Sequence, residues 1–331
     1  MRKGIRDWYW KNSQRTSQLD LLTQKYYNQN VMDKLLIIAG TNASGKSDLG
    51  VRLALGFGAE IVSADSRQVF KGLDLGSGKI SPDEMRGVPH HLLDVAEPGE
   101  FFSLKHYQEM AYSAVDDIIA RGKKAFLVGG TGLYINSVAD GYCLSDAEPD
   151  IRIRKQVEAM SLEQLKAFVE EKRPDELSNL DLNNKRRLER AAEKIIAGAP
   201  RNLPSSKRYE TCIIGVTWPR PVLYERIRVR LVRRLDEGML DEVRGLLEKG
   251  VSEDFLYRLG LEYRYCLMYL KGEFGSYEAF FDKLFMEIRH LAKEQMTWFR
   301  KRKDIHWIDM EDEPYEAAVR LIESFYRDCT D

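Results

Sequence analysis

Eight consecutive residues carry the most specific chemistry in this chain. Gly40-Thr41-Asn42-Ala43-Ser44-Gly45-Lys46-Ser47 reads G-x-x-x-x-G-K-S. Glycines let the backbone turn its N–H groups inward, and a following helix N-terminus adds positive potential. Lys46 supplies a full charge, and the Ser47 hydroxyl can ligate Mg²⁺. Gly40, Thr41, Asn42, Ala43, Ser44, Gly45, Lys46 and Ser47 are therefore expected to hold a polyphosphate or a pyrophosphate, without specifying ATP. Asp65, in Asp65-Ser66-Arg67-Gln68, can bind Mg²⁺ with Ser47 or act as a general base; turn capping is its plainer role. Asp94 competes with it as a metal carboxylate. Thr131, in Gly129-Gly130-Thr131-Gly132, offers a hydroxyl in a turn whose glycines permit close backbone approach. The neighbouring His90 and His91 read as packing residues, because adjacent histidines point to different sides.

These residues need strands to deliver them. Lys34 to Ala39 is a short apolar run suited to a buried parallel strand, and Asp48 to Leu55 has helical spacing. Glu60 to Ala64 and Ala125 to Val128 are further strands that end at Asp65 and at the Gly129 turn. His90 to Val95 is a third apolar run, and Ser103 to Arg121 an amphipathic helix. In a parallel sheet, ligands sit at the carboxyl ends of strands, so Lys46, Ser47, Asp65 and Thr131 are expected in one crevice.

From Asp146 to about Pro204 the strand pattern vanishes and the composition turns helical and charged, with Arg152 near its start and Lys185-Arg186-Arg187-Leu188-Glu189-Arg190 in its last helix. A solvated charged face is the usual fate of such runs. The core resumes at Thr211 to Val216, and Pro221 opens a long helix. On it Arg226, Arg230 and Arg234 recur at every fourth residue, an arrangement that calls for an anion, from a small ligand or from RNA. Ion pairs with Asp236 or Glu237 are the alternative. Ile288 to Arg300 reads as helix, His306 to Ile308 as a last strand and Tyr315 to Tyr326 as a closing helix. The expected architecture is α/β: a P-loop NTPase-like parallel sheet flanked by helices. Residues 33–145 and 205–331 form its catalytic core, 146–204 a helical insertion, and 1–32 a loosely held extension.

The 331 residues carry a net charge of −1, so no global basic field advertises nucleic acid. Four cysteines without CxxC or metal-ligand spacing read as reduced thiols of a cytoplasmic protein. No apolar run approaches membrane-spanning length, and no apolar segment follows the basic first residues to make a signal peptide. No membrane contact is expected.

Several ordered motifs together resemble the bacterial tRNA isopentenyltransferase (tRNA dimethylallyltransferase) family. They are the phosphate loop, Asp65-Ser66-Arg67-Gln68-Val69-Phe70, Lys71 to Gly76, Val88 to Asp94, Val128 to Tyr134, Lys185 to Arg190, Gly260 to Arg264 and Leu291 to Arg300. Three positions depart from the family pattern: Gly40-Thr41-Asn42 stands for Gly-Pro-Thr, Leu182-Asn183-Asn184 for Pro-Asn-Asp, and Leu261-Glu262 precedes Tyr263 where a Gly-Tyr pair is common. No zinc-finger cysteines follow, unlike the eukaryotic members.

The resemblance implies a monomeric enzyme that moves a dimethylallyl group from dimethylallyl diphosphate to N6 of the adenine at tRNA position 37, with Mg²⁺ as cofactor. Asp65, Thr131 and Arg230 are then the candidate catalytic residues. Asp65, Ser66, Arg67, Gln68, Thr131, Arg152, Arg186, Arg187, Leu188, Glu189 and Arg190 are the candidate contacts to the tRNA anticodon stem-loop. Three competing functions share parts of the pattern: a nucleotide phosphotransferase, a prenyltransferase acting on free adenine nucleotides, and an RNA-binding nucleotide switch. The first would turn over ATP, the second would have little use for Arg186, Arg187 and Arg190, and the third would not alkylate.

Overall fold

The computed structural model describes residues 32–144, 150–177, 180–198 and 205–327. The expected extension lies almost wholly outside these residues. Within them, the apolar runs pair into one six-stranded sheet. The elements follow the chain as β1 (Lys34–Gly40), α1 (Lys46–Phe57), β2 (Ala59–Ala64), α2 (Pro82–Met85), β3 (His90–His91), α3 (Leu104–Ala120), β4 (Lys124–Gly129) and α4 (Gly132–Ala139). Four helices come next: α5 (Ile151–Glu158), α6 (Leu162–Lys172), α7 (Pro174–Leu177) and α8 (Lys185–Ile196). The core returns with β5 (Glu210–Thr217), α9 (Arg220–Asp236), α10 (Met239–Glu248), α11 (Glu253–Leu259), α12 (Leu261–Leu270), α13 (Tyr277–Phe299), β6 (Ile305–Asp309) and α14 (Pro314–Arg327).

The strand order is β3-β2-β4-β1-β5-β6 and every pairing is parallel. A parallel sheet covered on both faces needs strands that are apolar throughout, and β1 is buried from Leu35 to Gly40. Its alternation still sorts side chains between two cores. Leu35, Ile37 and Ala39 join a cluster with Tyr107 of α3, Ile135 of α4, Ile227 of α9 and Ile288 of α13. Leu36 and Ile38 face the opposite way, onto Leu49 and Leu53 of α1 and Ala318 and Ile322 of α14. Full burial of each leucine or isoleucine among them contributes about 1.5–3 kcal/mol.

Register places the site. Ala39 of β1 lies beside Gly129 of β4, which lies beside Ala64 of β2. One residue beyond this row the three chains turn at Gly40, Gly130 and Asp65. Gly129 fills its place because a Cβ there would lie 2.2 Å from the Ala64 carbonyl oxygen. The third run is shorter than its apolar pattern implies: only His90–His91 pairs with β2, and Leu92 and Asp94 both adopt left-handed φ, 63° and 55°. Those angles break the strand before Asp94. The α13 helix, by contrast, begins at Tyr277, well ahead of the expected Ile288.

Helices α5 to α8 build a separate small core from Val157, Leu165, Val169, Leu188, Ala191 and Ala192. Ser161 caps α6 with a reciprocal Gln164 capping box, and Asn184 caps α8.

Candidate active site

The phosphate loop is held from outside by three side chains. Trp218, just after β5, donates its indole N–H to the Ser44 carbonyl at 2.8 Å. Arg226 of α9 donates Nε–H to the Ala43 carbonyl at 2.9 Å and stacks on the Trp218 ring, 4.5 Å from its centroid. From the other side Gln295 of α13 accepts the Asn42 amide N–H at 3.0 Å and donates to the Gly130 carbonyl at 3.0 Å. One amide therefore ties the loop to the turn that carries Thr131. Gly45, at φ 85°, makes the left-handed entry into α1 that the loop needs. Thr41 and Ser44 are 1% exposed; Ser47 stays open at the helix start.

Lys46 is 9% exposed and donates to the Thr41 carbonyl at 3.3 Å. Burial draws its pKa down to about 8; Asp65 opposes that shift and Arg230 adds to it. Lys46 thus lies within electrostatic reach of both. Asp65 accepts the Arg67 amide N–H on Oδ1 at 3.0 Å, the turn capping that is its plainer role, while Oδ2 has no protein donor among the described residues. The Thr131 hydroxyl accepts the Ser66 amide at 3.0 Å, fixing the same turn, and the Thr131 amide donates to the Ala64 carbonyl at 3.1 Å. Beneath them Tyr107 and Tyr134 stack with centroids 3.7 Å apart, and Tyr107 donates to the Ser63 carbonyl at 3.0 Å. Burial, with Asp65 nearby, keeps both phenols protonated.

A cleft of about 450 Å³ opens along Ala43 to Asp48 and is walled by Gly78, Ile80, Glu84, Arg86, Arg226, Val229, Arg230 and Arg233. The arginine stripe divides its labour. Arg226 grips the loop. Arg230 donates to the Gly78 carbonyl at 2.9 Å and lines the cleft. Desolvation, then the charge of Arg234, draws Arg230 down to about 10, so it remains a cation at neutral pH. Arg234 turns inward to the carbonyls of Leu75 and Gly76 and to Glu262. Neither Asp236 nor Glu237 pairs with the stripe; Glu237 binds Arg233 at 2.7 Å instead.

The loop that presents Gly78 is itself fixed. Glu242 of α10 accepts the N–H groups of Asp74, Leu75 and Gly76 at 3.0, 2.6 and 2.9 Å, and the Tyr263 hydroxyl donates to it at 2.8 Å. Asp94 is engaged elsewhere than at the phosphate loop. Lys79 bridges it at 2.5 Å and Asp74 at 2.6 Å. His90 bonds the Val88 carbonyl and His91 bonds Glu60, each at 2.8 Å, which is the packing role expected of them.

The remaining candidates sit on the helical segment. Arg152, Arg186, Arg187 and Arg190 are exposed, and Arg190 pairs with Glu193. Glu189 pairs with Lys185 at 3.5 Å. Leu188 departs from the expectation. It is fully buried in the small core, because its side chain is the apolar anchor of α8, and it has no surface to offer tRNA. Trp218, Glu242 and Gln295 were not singled out from sequence. Gln295 lies inside Leu291 to Arg300, a stretch that marks the resemblance without assigning a role.

A phosphate loop, a carboxylate and a hydroxyl at three adjacent strand ends, faced by cationic side chains, make a candidate site on a fold of the P-loop class. A family model described as "IPP transferase" matches residues 68–302. The chain is 40% identical over 294 residues to tRNA dimethylallyltransferase 2 of Shewanella sediminis (strain HAW-EB3), covering 87% of this chain and 97% of that one. It is 39% identical over 303 residues to tRNA dimethylallyltransferase of Geobacillus thermodenitrificans (strain NG80-2), covering 88% and 95%. The crystal structure of the full-length tRNA isopentenylpyrophosphate transferase from Bacillus halodurans superposes with a TM-score of 0.67 at 33% identity, over 89% of this chain and 98% of that one. A eukaryotic dimethylallyltransferase solved acting on tRNA shares the fold, with a TM-score of 0.73 at 21% identity, covering 89% of this chain and 80% of that one. The chain belongs to the IPP transferase family. No helix among the described residues is long and apolar enough to cross a membrane.

Proposed function

We propose that this protein transfers a dimethylallyl group from dimethylallyl diphosphate to N6 of the adenine at position 37 of tRNA, beside the anticodon, releasing pyrophosphate. The observation that carries this reading is the row Ala39–Gly129–Ala64, which brings the phosphate loop, the Thr131 turn and Asp65 to one edge. In the reaction the allylic carbon–oxygen bond breaks and a carbon–N6 bond forms. Negative charge grows on the departing pyrophosphate, where Lys46, the loop N–H groups and Arg230 stabilise it. The exocyclic amine is a poor nucleophile because its lone pair is delocalised into the ring. Asp65 Oδ2 accepts the N6 proton as attack proceeds. Thr131 holds the turn that aims Asp65. The target base leaves the loop stack to reach this edge, and the exposed Arg152, Arg186, Arg187 and Arg190 contact phosphates of the anticodon stem-loop.

The donor set fits Mg²⁺. No group of three or more His, Cys, Asp or Glu side chains gathers among the described residues, which disfavours a metal that needs an all-protein cage. The Ser47 hydroxyl and the Asp65 carboxylate, through the oxygen that does not take the proton, would be the sparse hard-oxygen donors that suit an ion keeping waters and substrate phosphate oxygens. Bound there, Mg²⁺ would supply further charge stabilisation for the diphosphate.

The test is mass spectrometry of tRNA nucleosides after incubation with dimethylallyl diphosphate and Mg²⁺. N6-dimethylallyl adenosine at position 37 is expected. ATP turnover without prenylation, or alkylation of free adenine nucleotides alone, would replace this reading with one of its competitors.

A further inference from the structure

Glu262 immediately precedes Tyr263 at the start of α12, and its surroundings say what it does. It is the second residue of α12 and 2% exposed. Its Oε2 accepts Arg67 Nη1–H at 2.8 Å, and its Oε1 accepts Arg234 Nη1–H at 3.2 Å. Burial alone would raise its pKa. Arg234 and Arg67 outweigh burial and hold the carboxyl below the usual carboxylate range, so it is an anion between two guanidinium groups.

The two arginines belong to different parts of the site. Arg234 is one helical turn beyond Arg230 on α9, and it is already fixed by the carbonyls of Leu75 and Gly76. Arg67 belongs to the Asp65 turn, and its side chain is 19% exposed. Glu262 is its only side-chain partner among the described residues, which leaves Nε–H and the Nη2 pair open. Arg234 therefore anchors the carboxylate, and the carboxylate orients Arg67.

A buried Arg–Glu–Arg cluster is a poor way to gain stability. Desolvating three charges offsets most of their attraction, and apolar residues of similar volume stabilise as well or better. Beside a turn that carries a reactive carboxylate, the cluster is better explained by orientation. We infer that Glu262 is a positioning residue for the RNA substrate. Acting through Arg67, it holds that guanidinium beside Asp65 with its remaining N–H groups open to a phosphate oxygen of the nucleotide that enters. This inference rests on prenyl transfer to tRNA being the function of the site.

A double-mutant cycle tests it on the full chain. Glu262→Gln, Arg67→Ala and the double variant are compared with the parent in steady-state prenylation of tRNA, with thermal melts alongside. Glu262→Gln should lower kcat/KM for tRNA about tenfold, the scale of one charge-assisted hydrogen bond, mainly through KM. The KM for dimethylallyl diphosphate should stay within about twofold. In the Arg67→Ala background, adding Glu262→Gln should cost less than about twofold, because the group it acts through is gone. Glu262→Asp, which keeps the charge, should recover most of the tRNA affinity. If the glutamine variant does not fold, Arg67→Lys tests the same contact, because it keeps the charge but loses the fork that Glu262 orients: the KM for tRNA should rise and that for dimethylallyl diphosphate should not. Losses that simply multiply in the cycle, a lysine variant with the parental KM for tRNA, or a KM for dimethylallyl diphosphate that rises with that for tRNA, would overturn the inference. A parent protein that transfers no prenyl group to tRNA would instead remove the function beneath it.

Discussion

At the residue scale the proposed chemistry turns on two groups of opposite charge. Asp65 has one oxygen engaged by its own turn and one without a protein donor. Asp65→Ala should lower turnover by about 10²–10⁴-fold while tRNA affinity in filter binding is kept, the signature of a lost proton acceptor. A near-parental rate would move attention to Asp94, against its pairing with Lys79. Lys46 gives a pH dependence whose sign can be worked out. Its folded pKa, about 8, lies below the ordinary 10.5. Between those values the unfolded chain holds a proton that the folded chain has released, so stability without bound anion should rise with pH across that window. A bound anion restores the charge. Pyrophosphate affinity should therefore fall as pH climbs through about 8, with net proton uptake in calorimetry performed in two buffers of different ionisation enthalpy. Pyrophosphate titrates too, but that contribution is shared with Lys46→Ala, which should lose only the lysine part. Equal pH slopes for the two proteins would remove Lys46 from the binding step.

At the element scale the strands explain how much could be read from sequence. Each of β1, β2, β4 and β5 is an apolar run bounded by residues that cannot extend it, so their order along the chain and their carboxyl ends were legible. So were the helices flanking them and the residues delivered at Ser47, Asp65 and Thr131. What was not legible is whatever depends on distant partners. Asp94 looks like a strand-borne metal ligand until Leu92 turns left-handed and Lys79 arrives from a neighbouring loop. Leu188 reads as part of a basic motif, yet helical periodicity faces it inward while its neighbours face out. The clamps of Trp218, Glu242 and Gln295 act on backbone atoms, which leave no compositional trace. Strand packing itself makes a sharp prediction. Ile38 is wholly buried between α1 and α14, so Ile38→Ala should cost about 2–5 kcal/mol in denaturant unfolding. A loss well under 1 kcal/mol would mean that this face of the sheet is loosely packed.

At the scale of the whole molecule, residues 151–196 fold around their own core and present arginines to solvent. If these contact tRNA phosphates, replacing Arg186, Arg187 and Arg190 by alanine should weaken tRNA binding and leave the KM for dimethylallyl diphosphate unchanged. Each lost contact should flatten the log–log salt dependence by roughly one unit, less where the phosphates are single-stranded. An unaltered salt slope with intact folding would return the segment to a solvated surface. The order of the strands along the chain sets the timing of assembly. Strand β1 ends at Gly40, but its neighbour β5 is not complete until Thr217. At about 5–20 residues per second, a ribosome needs roughly nine to thirty-five seconds to bridge that gap. Meanwhile one flank of β1, a strand buried from Leu35 to Gly40, has no pairing partner, and the phosphate loop lacks the grip of Trp218 and Arg226. An unpaired apolar edge is where wrong strands add, so this chain should depend on chaperone cover during synthesis more than its native surface would indicate.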